Sequence, residues 1–302
     1  MKGPIKIKLA VFIFSSIPLT VWRGALSIIS GLIYYLSLKH RLIAIHNLTR
    51  SFPEKTSEDI LKIAKASYRS FAIMAAELLD LPRLKKDNLH RWIEVKGLNN
   101  YIEACGEGKG VLLFSAHFGN WEIGNTALAI LTRPLIFMMR RLDNPFLDEL
   151  ATYLRGRCGN LSLHKQKAMR QSLRLLESGE TISILIDQNV SGNEGVFVDF
   201  FGRPACATSG LARMALHTGA AIMPAFTIRL PNGKYLLEIG PKMKIINTGN
   251  LDEDVLLNTQ KFNKVIEEYV RKYPEQWLWL HQRWKTKPWQ VKSRKNNNVA
   301  ET

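Results

Sequence analysis

Two uninterrupted apolar runs constrain this chain more than anything else in it. Residues 111–116 (Val-Leu-Leu-Phe-Ser-Ala) and 181–186 (Thr-Ile-Ser-Ile-Leu-Ile) do not alternate polar with apolar, so neither suits a strand with one wet face. Each reads as a strand buried on both sides, which implies a largely parallel sheet covered by helices. Each run also ends on a residue that can carry chemistry, His117 after the first and Asp187 after the second. Ligands in such sheets collect at the carboxyl ends of the strands. If the two strands are parallel, His117 and Asp187 share one edge.

The rest of the chain supports this frame. Short strands are expected at 93–95, 135–139 and 196–201, with a hairpin of 222–230 and 235–239 across Pro231-Asn232-Gly233. Helices are expected at 121–131, 146–155, 168–176, 209–217 and 254–272. Another starts at Thr56, a candidate cap with Asp59 three residues on, and runs to about residue 80. The expectation is one α/β domain over 41–290, a mixed, largely parallel sheet flanked by helices, followed by a disordered polar tail at 291–302.

The N-terminus is of another kind. Lys2, Lys6 and Lys8 precede two apolar runs, 9–21 and 24–38, separated by Trp22-Arg23. As one helix, residues 9–38 would reach about 45 Å, against a hydrocarbon core of ~30 Å, with Arg23 near its middle. The expected element is an uncleaved membrane anchor over 1–40, dipping or tilted, with Pro18 and Gly24 as bend points. A buried helical hairpin is the alternative.

Lys and Arg number 42 against 26 Asp and Glu, a net charge of +16, so the expected partners are anionic. Nucleic acid is set aside, because no helix-turn-helix, zinc-finger or RNP pattern is present and an apolar N-terminus is foreign to that class. Cys105, Cys158 and Cys206 are scattered, without metal-ligand or disulfide spacing, so no metal is expected.

The segment from Ser115 to Gly124 carries the sharpest chemical signal. On one helix His117 and Glu122 would diverge by about 140°. In a strand–turn–helix reading His117 ends the strand, Gly119 makes the turn, Asn120 caps the helix and Glu122 lies in its first turn. Glu122 can then reach back to one imidazole nitrogen while the other faces the crevice, the base half of a triad. The bland reading stands beside it, since the helix dipole favours a first-turn Glu whatever the function.

The setting Ala-His-Phe-Gly-Asn-Trp-Glu resembles the H-x4-E motif of the bacterial lipid A late acyltransferases, a branch of a glycerolipid acyltransferase superfamily that mostly carries H-x4-D. The resemblance continues at Arg140 with Asp143-Asn144-Pro145, at Arg155 and Arg157, and at Asp187 with Val196-Phe197-Val198, Phe201-Gly202 and Thr208. It ends with Pro274-Glu275-Gln276, Trp279-Leu280-His281, Arg283 and Lys285-Thr286, and so spans about residues 8–288.

The resemblance implies a glycerolipid acyltransferase-like fold and acyl transfer without cofactor or covalent intermediate. His117, oriented by Glu122, deprotonates an acceptor hydroxyl that attacks an acyl thioester. It implies acyl carrier protein as donor partner, a lipid A precursor as acceptor, and the cytoplasmic face of the anionic inner membrane as location. Acceptor-binding candidates are Arg140, Arg155, Arg157, Asp187, Thr208 and Arg213; Arg203 is a further basic residue of the kind that binds phosphate, and the alternative for each arginine is a solvated or snorkelling surface position. Trp277, Trp279, Trp284 and Trp289 suggest either an interfacial belt or core packing. The competing enzyme reading is a lysophospholipid acyltransferase; Glu rather than Asp at 122 speaks against it.

Overall fold

Val111–Ser115 (β2) is buried at every position, and it lies near the centre of a seven-stranded sheet. Its parallel neighbours are Thr181–Leu185 (β5) and Ala221–Arg229 (β8). Beyond β5 come Ile136–Met139 (β3) and the edge strand Leu161–His164 (β4), both parallel. Beyond β8 comes its antiparallel hairpin partner Tyr235–Ile239 (β9), which pairs in parallel with Ile93–Lys96 (β1). The sheet is thus mixed and largely parallel, in the order β1-β9-β8-β2-β5-β3-β4. This computed structural model describes residues 5–164 and 168–290; the tail expected at 291–302 lies outside them.

The side chains of β2 show why the run carries no alternation. Val111 and Leu113 face one apolar cluster, while Leu112 and Phe114 face another. The first cluster is closed by Leu98–Gly106 (α5) through Tyr101, and by Trp121–Leu131 (α6) through Ile123 and Leu128. The second is closed by Gly210–Thr218 (α9) and by Leu251–Lys272 (α10), whose Phe262 and Ile266 are buried. Pro145–Arg155 (α7) and Ala168–Glu177 (α8) complete the helices of this part.

Two strands escape the sequence pattern. β4 is a four-residue edge strand with mixed polarity, too short to show a period. Arg203–Thr208 (β7) contains Pro204 and small residues, which argue for a loop. It forms instead a separate antiparallel ribbon with Gly195–Phe200 (β6), where Pro204 loses no sheet neighbour.

Residues 5–40 form three helices, not one: Ile5–Ser16 (α1), Leu19–Leu36 (α2) and the start of Leu38–Ser51 (α3). Pro18 sits at the first break as expected. Gly24 does not bend the chain; α2 runs through it. Both helices also rest on the body. Ile7 of α1 is buried against Leu150, Tyr153 and Leu154 of α7. α2 packs along Ser57–Leu78 (α4), whose start is capped by Thr56 as read, Oγ1 accepting from Asp59 N at 3.2 Å. The outward side stays apolar: Ile28, Ile29, Leu32, Ile33 and Leu36 of α2 and Leu9, Phe12 and Ile13 of α1 are exposed. Among the described residues, α2 alone is long and apolar enough to cross a membrane by length and composition.

Candidate functional site

β2 and β5 run side by side with Ser115 opposite Leu185, and Ile186 N donates to Ser115 O at 3.1 Å. The two chains therefore leave the sheet together, and His117 and Asp187 emerge as neighbours at its carboxyl edge. His117 Nδ1 lies 2.8 Å from Asp187 Oδ1, and the His117 backbone N–H donates to Oδ2 at 3.0 Å. Trp277 Nε1 donates to the same Oδ2 at 2.8 Å.

Burial resists a charge on Asp187, but the imidazole, its backbone N–H and the Trp277 indole outweigh that and hold the carboxyl at about 2. An ionised carboxylate only accepts, so Nδ1 of His117 must carry the proton. Nε2 is then the free base nitrogen. It accepts from the amide Nε2 of the solvent-exposed Gln188 at 3.3 Å. The imidazole is thus locked in one tautomer with its lone pair pointing out of the fold.

The turn beneath His117 is built for close approach. Gly119 has φ +56°, and a Cβ there would lie 1.8 Å from Thr227 O of β8. Asn120 caps α6, with Oδ1 accepting from Ile123 N at 3.1 Å. Its Nδ2 donates at 2.8 Å to Glu77 Oε2, a carboxylate buried on α4. Glu77 Oε1 in turn accepts from Arg23 Nε of α2 at 2.9 Å. Arg23, costly if stranded in lipid, is spent on that buried anion.

Glu122 departs from expectation. It does not reach His117. Its carboxylate is buried and takes a two-armed bond from Arg155 of α7, with Nε 2.9 Å from Oε2 and Nη2 on Oε1. The guanidinium offers this buried carboxylate both a permanent counter-charge and two parallel N–H donors, a match that one imidazole N–H cannot equal. Glu122 Oε1 also accepts from Trp121 Nε1 at 3.1 Å, and the Trp121 ring stands edge-on to His117 with centroids 5.2 Å apart. Glu122 is therefore linked to the His117 imidazole only through the Trp121 indole.

The other expected residues divide. Asp187 joins His117, and Arg155 joins Glu122. Arg140 is exposed and pairs with Asp143 at 3.0 Å. Arg157 Nη1 donates to Tyr153 Oη at 3.3 Å. Thr208 ends β7, opposite Gly195. Arg213 on α9 reaches Ser209 Oγ at 3.4 Å and Asp252 at 3.7 Å. None of these four bonds to His117 or Asp187.

Sequence reasoning missed the C-terminal brace. Gly119 N donates to Gln276 O at 2.9 Å and Leu278 N to His117 O at 3.2 Å, so residues 276–278 clamp the turn. Trp277, Trp279 and Trp284 are buried and only Trp289 is exposed, which makes the segment core rather than belt. His281 Nε2 accepts from Asn189 N at 2.9 Å; burial outweighs the opposing pull of Asp187 and, with Arg283 and Lys285 nearby, keeps this imidazole below its ordinary range. Arg283 is fully buried, donating to Cys206 O at 2.7 Å and Asn263 Oδ1 at 2.9 Å. The visible signal was the Trp and His spacing itself, which gives no hint of its partner strand.

Comparison with known proteins adds the chemistry. The lipid A biosynthesis lauroyltransferase of Escherichia coli (strain K12) is 30% identical over 261 residues, covering 85% of this chain and 83% of its own. A lipid A biosynthesis acyltransferase of Haemophilus influenzae is 29% identical, covering 82% and 77%. The phosphatidylinositol mannoside acyltransferase of Mycolicibacterium smegmatis is 24% identical, covering 77% and 74%. The family model for bacterial lipid A biosynthesis acyltransferases matches residues 7–286, so the whole edge bearing His117, Asp187 and the brace falls within it. This chain belongs to the bacterial lipid A biosynthesis acyltransferase family, and it is an acyltransferase.

Proposed function

We propose that the protein moves a fatty acyl chain from an acyl-carrier-protein thioester to a hydroxyl of a lipid A precursor, at the cytoplasmic face of the inner membrane. The observation that carries this reading is the His117–Asp187 pair at the open sheet edge, with Nδ1 held as donor and Nε2 free. Nε2 takes the proton of the acceptor hydroxyl as its oxygen attacks the thioester carbonyl. The tetrahedral adduct collapses with cleavage of the C–S bond, and the thiolate leaves with the proton held on Nε2. Asp187 stays ionised and stabilises the transient imidazolium, so no acyl-enzyme is needed.

His117 is the catalytic residue of this scheme, and Asp187, Trp277, Trp121 and Glu122 position it. The exposed apolar sides of α1 and α2 seat the edge at the lipid surface, where the acceptor resides. The net charge of +16 suits an acidic carrier and a phosphorylated glycolipid. The deciding assay gives purified enzyme acyl-carrier protein with a lipid A precursor, lysophosphatidic acid or a phosphatidylinositol mannoside. Transfer to the lipid A precursor is expected; transfer only to lysophosphatidic acid would make the protein a lysophospholipid acyltransferase.

A further inference from the structure

Beside the catalytic edge lies a cavity of about 680 Å³ whose charge the mechanism leaves unused. Five basic side chains from three separate stretches line it: His46 and Arg50 of α3, Arg203 at the start of β7, and Lys285 and Lys287 near the C-terminus. No Asp or Glu lines the cavity, and none of the five is in an ion pair among the described residues. The charges feel one another. Burial, then Arg50, Arg203 and Lys287, depress the His46 imidazole, and burial followed by Arg50 pushes Arg203 down to about 10. Arg203 is held in place rather than free to swing away. Its guanidinium stacks 3.5 Å over the Trp284 ring, Nη2 donates to Ser51 Oγ at 2.9 Å, and Nε is buried without a partner. Gathering Arg50, Arg203, Lys285 and Lys287 in a concave site without a counter-ion costs free energy that a bound anion returns, and the His46 imidazole adds a ring N–H donor.

The cavity also has a direction. A second hollow of about 380 Å³ shares Ile43, Gln282 and Lys285 with it and is walled by Asn189 and His281. Asn189 follows Gln188, whose amide faces His117 Nε2. The two hollows thus adjoin, and the second ends at Asn189, one residue from the side chain that faces the His117 imidazole. Its rim is apolar and wet, with Leu42 54% and Trp289 80% exposed, and Leu42 continues the exposed Leu36 and Leu38 toward the outer side of α2. An anionic amphiphile at a lipid surface fits that combination better than a soluble protein does.

We propose that His46, Arg50, Arg203, Lys285 and Lys287 form the subsite for a phosphate on the acceptor's headgroup, fixing which hydroxyl arrives at His117. The assignment rests on the acyl-transfer reading above only for the identity of the acceptor. Arg50 is exposed and Lys287 half-buried at the cavity wall, so their replacement spares the core. In the paired variant Arg50→Gln/Lys287→Gln, KM for a phosphorylated lipid A precursor should rise about tenfold or more while kcat stays within about twofold. Adding Arg203→Gln should raise KM further. With the same precursor enzymatically dephosphorylated, wild type should already show the raised KM and the variants no additional loss.

An unchanged KM, or an equal rise for both precursors, would overturn the proposal. So would a rise confined to the acyl-carrier donor, which would make the cluster a carrier dock. Parallel loss of binding to phosphatidylglycerol vesicles would reduce it to a general anionic-lipid patch. Binding of both precursors, followed by tryptophan fluorescence in detergent, needs no turnover. A wild type that binds the phosphorylated precursor through the cluster yet transfers nothing sinks the acyl-transfer reading and spares this one.

Discussion

In the proposed mechanism Asp187 is the decisive residue, because its contact with Nδ1 fixes which nitrogen of His117 bears the proton. Asp187→Asn keeps the shape but offers Nδ1 a donor, so the proton moves to Nε2 and the base is blocked. We expect kcat to fall by about 10³–10⁴-fold, as tautomer loss does elsewhere, and His117→Ala to cost at least about 10²-fold; near-wild-type rates in folded protein would remove the pair from the mechanism. The same carboxyl ties stability to acidity. Unfolded, it binds a proton near 3.8; folded, only at about 2. Its contribution, about 2 kcal/mol, is whole above about pH 4 and lost as pH falls toward 2. Denaturant melts in detergent between those values should be steeper in pH for wild type than for Asp187→Asn. Glu122 behaves differently in this structure. Glu122→Ala strands Arg155 in the interior, so its loss of rate should come with a drop in stability of about 3–5 kcal/mol. His117→Ala should leave the melting temperature nearly unchanged. Equal melting temperatures for both would mean that the Glu122–Arg155 pair is not buried as described.

At the scale of elements, the strands and helices with strong periodicity were legible from residues alone. β2 and β5 announced themselves by unbroken apolar runs, and their parallel register delivered the His117–Asp187 meeting. β4 and β7 were not legible, because a four-residue edge strand and a ribbon containing Pro204 have no period to read. The direction of Glu122 was illegible for another reason: its partner, Arg155, stands 33 residues away on a different helix. The N-terminal helices sit between these cases. Their apolarity was plain, but not that α2 would lie along α4 and keep one apolar side outward. That side predicts retention in the membrane fraction at 1 M salt, where the Debye length is about 3 Å and charge attraction is screened. Release by salt would mean that lipid contact is electrostatic only. Replacing Ile29 and Ile33 with Asp or Lys should loosen the enzyme from vesicles without lowering its melting temperature, since both are exposed.

For the molecule as a whole, the proposed acidic donor would make the +16 charge a determinant of the rate of encounter. The rate with acyl-carrier protein at sub-saturating concentration should fall as salt rises, while saturated turnover changes little. An indifferent rate would show that the charge serves lipid contact alone. The line from Arg23 through Glu77 to Asn120 has a practical corollary for anyone wanting a water-soluble enzyme. Cutting away residues 1–37 removes the greasy helices, yet it also takes the cation from a carboxylate lodged directly behind the reactive turn. Glu77→Gln should then have opposite signs in the two backgrounds. In the full chain its amide N–H meets the Arg23 guanidinium and lowers the melting temperature. In the shortened chain it removes an orphaned charge while its oxygen still accepts from Asn120 and Tyr235, and the melting temperature rises. Trimming this enzyme into solution is therefore a two-site redesign, one cut and one neutralisation.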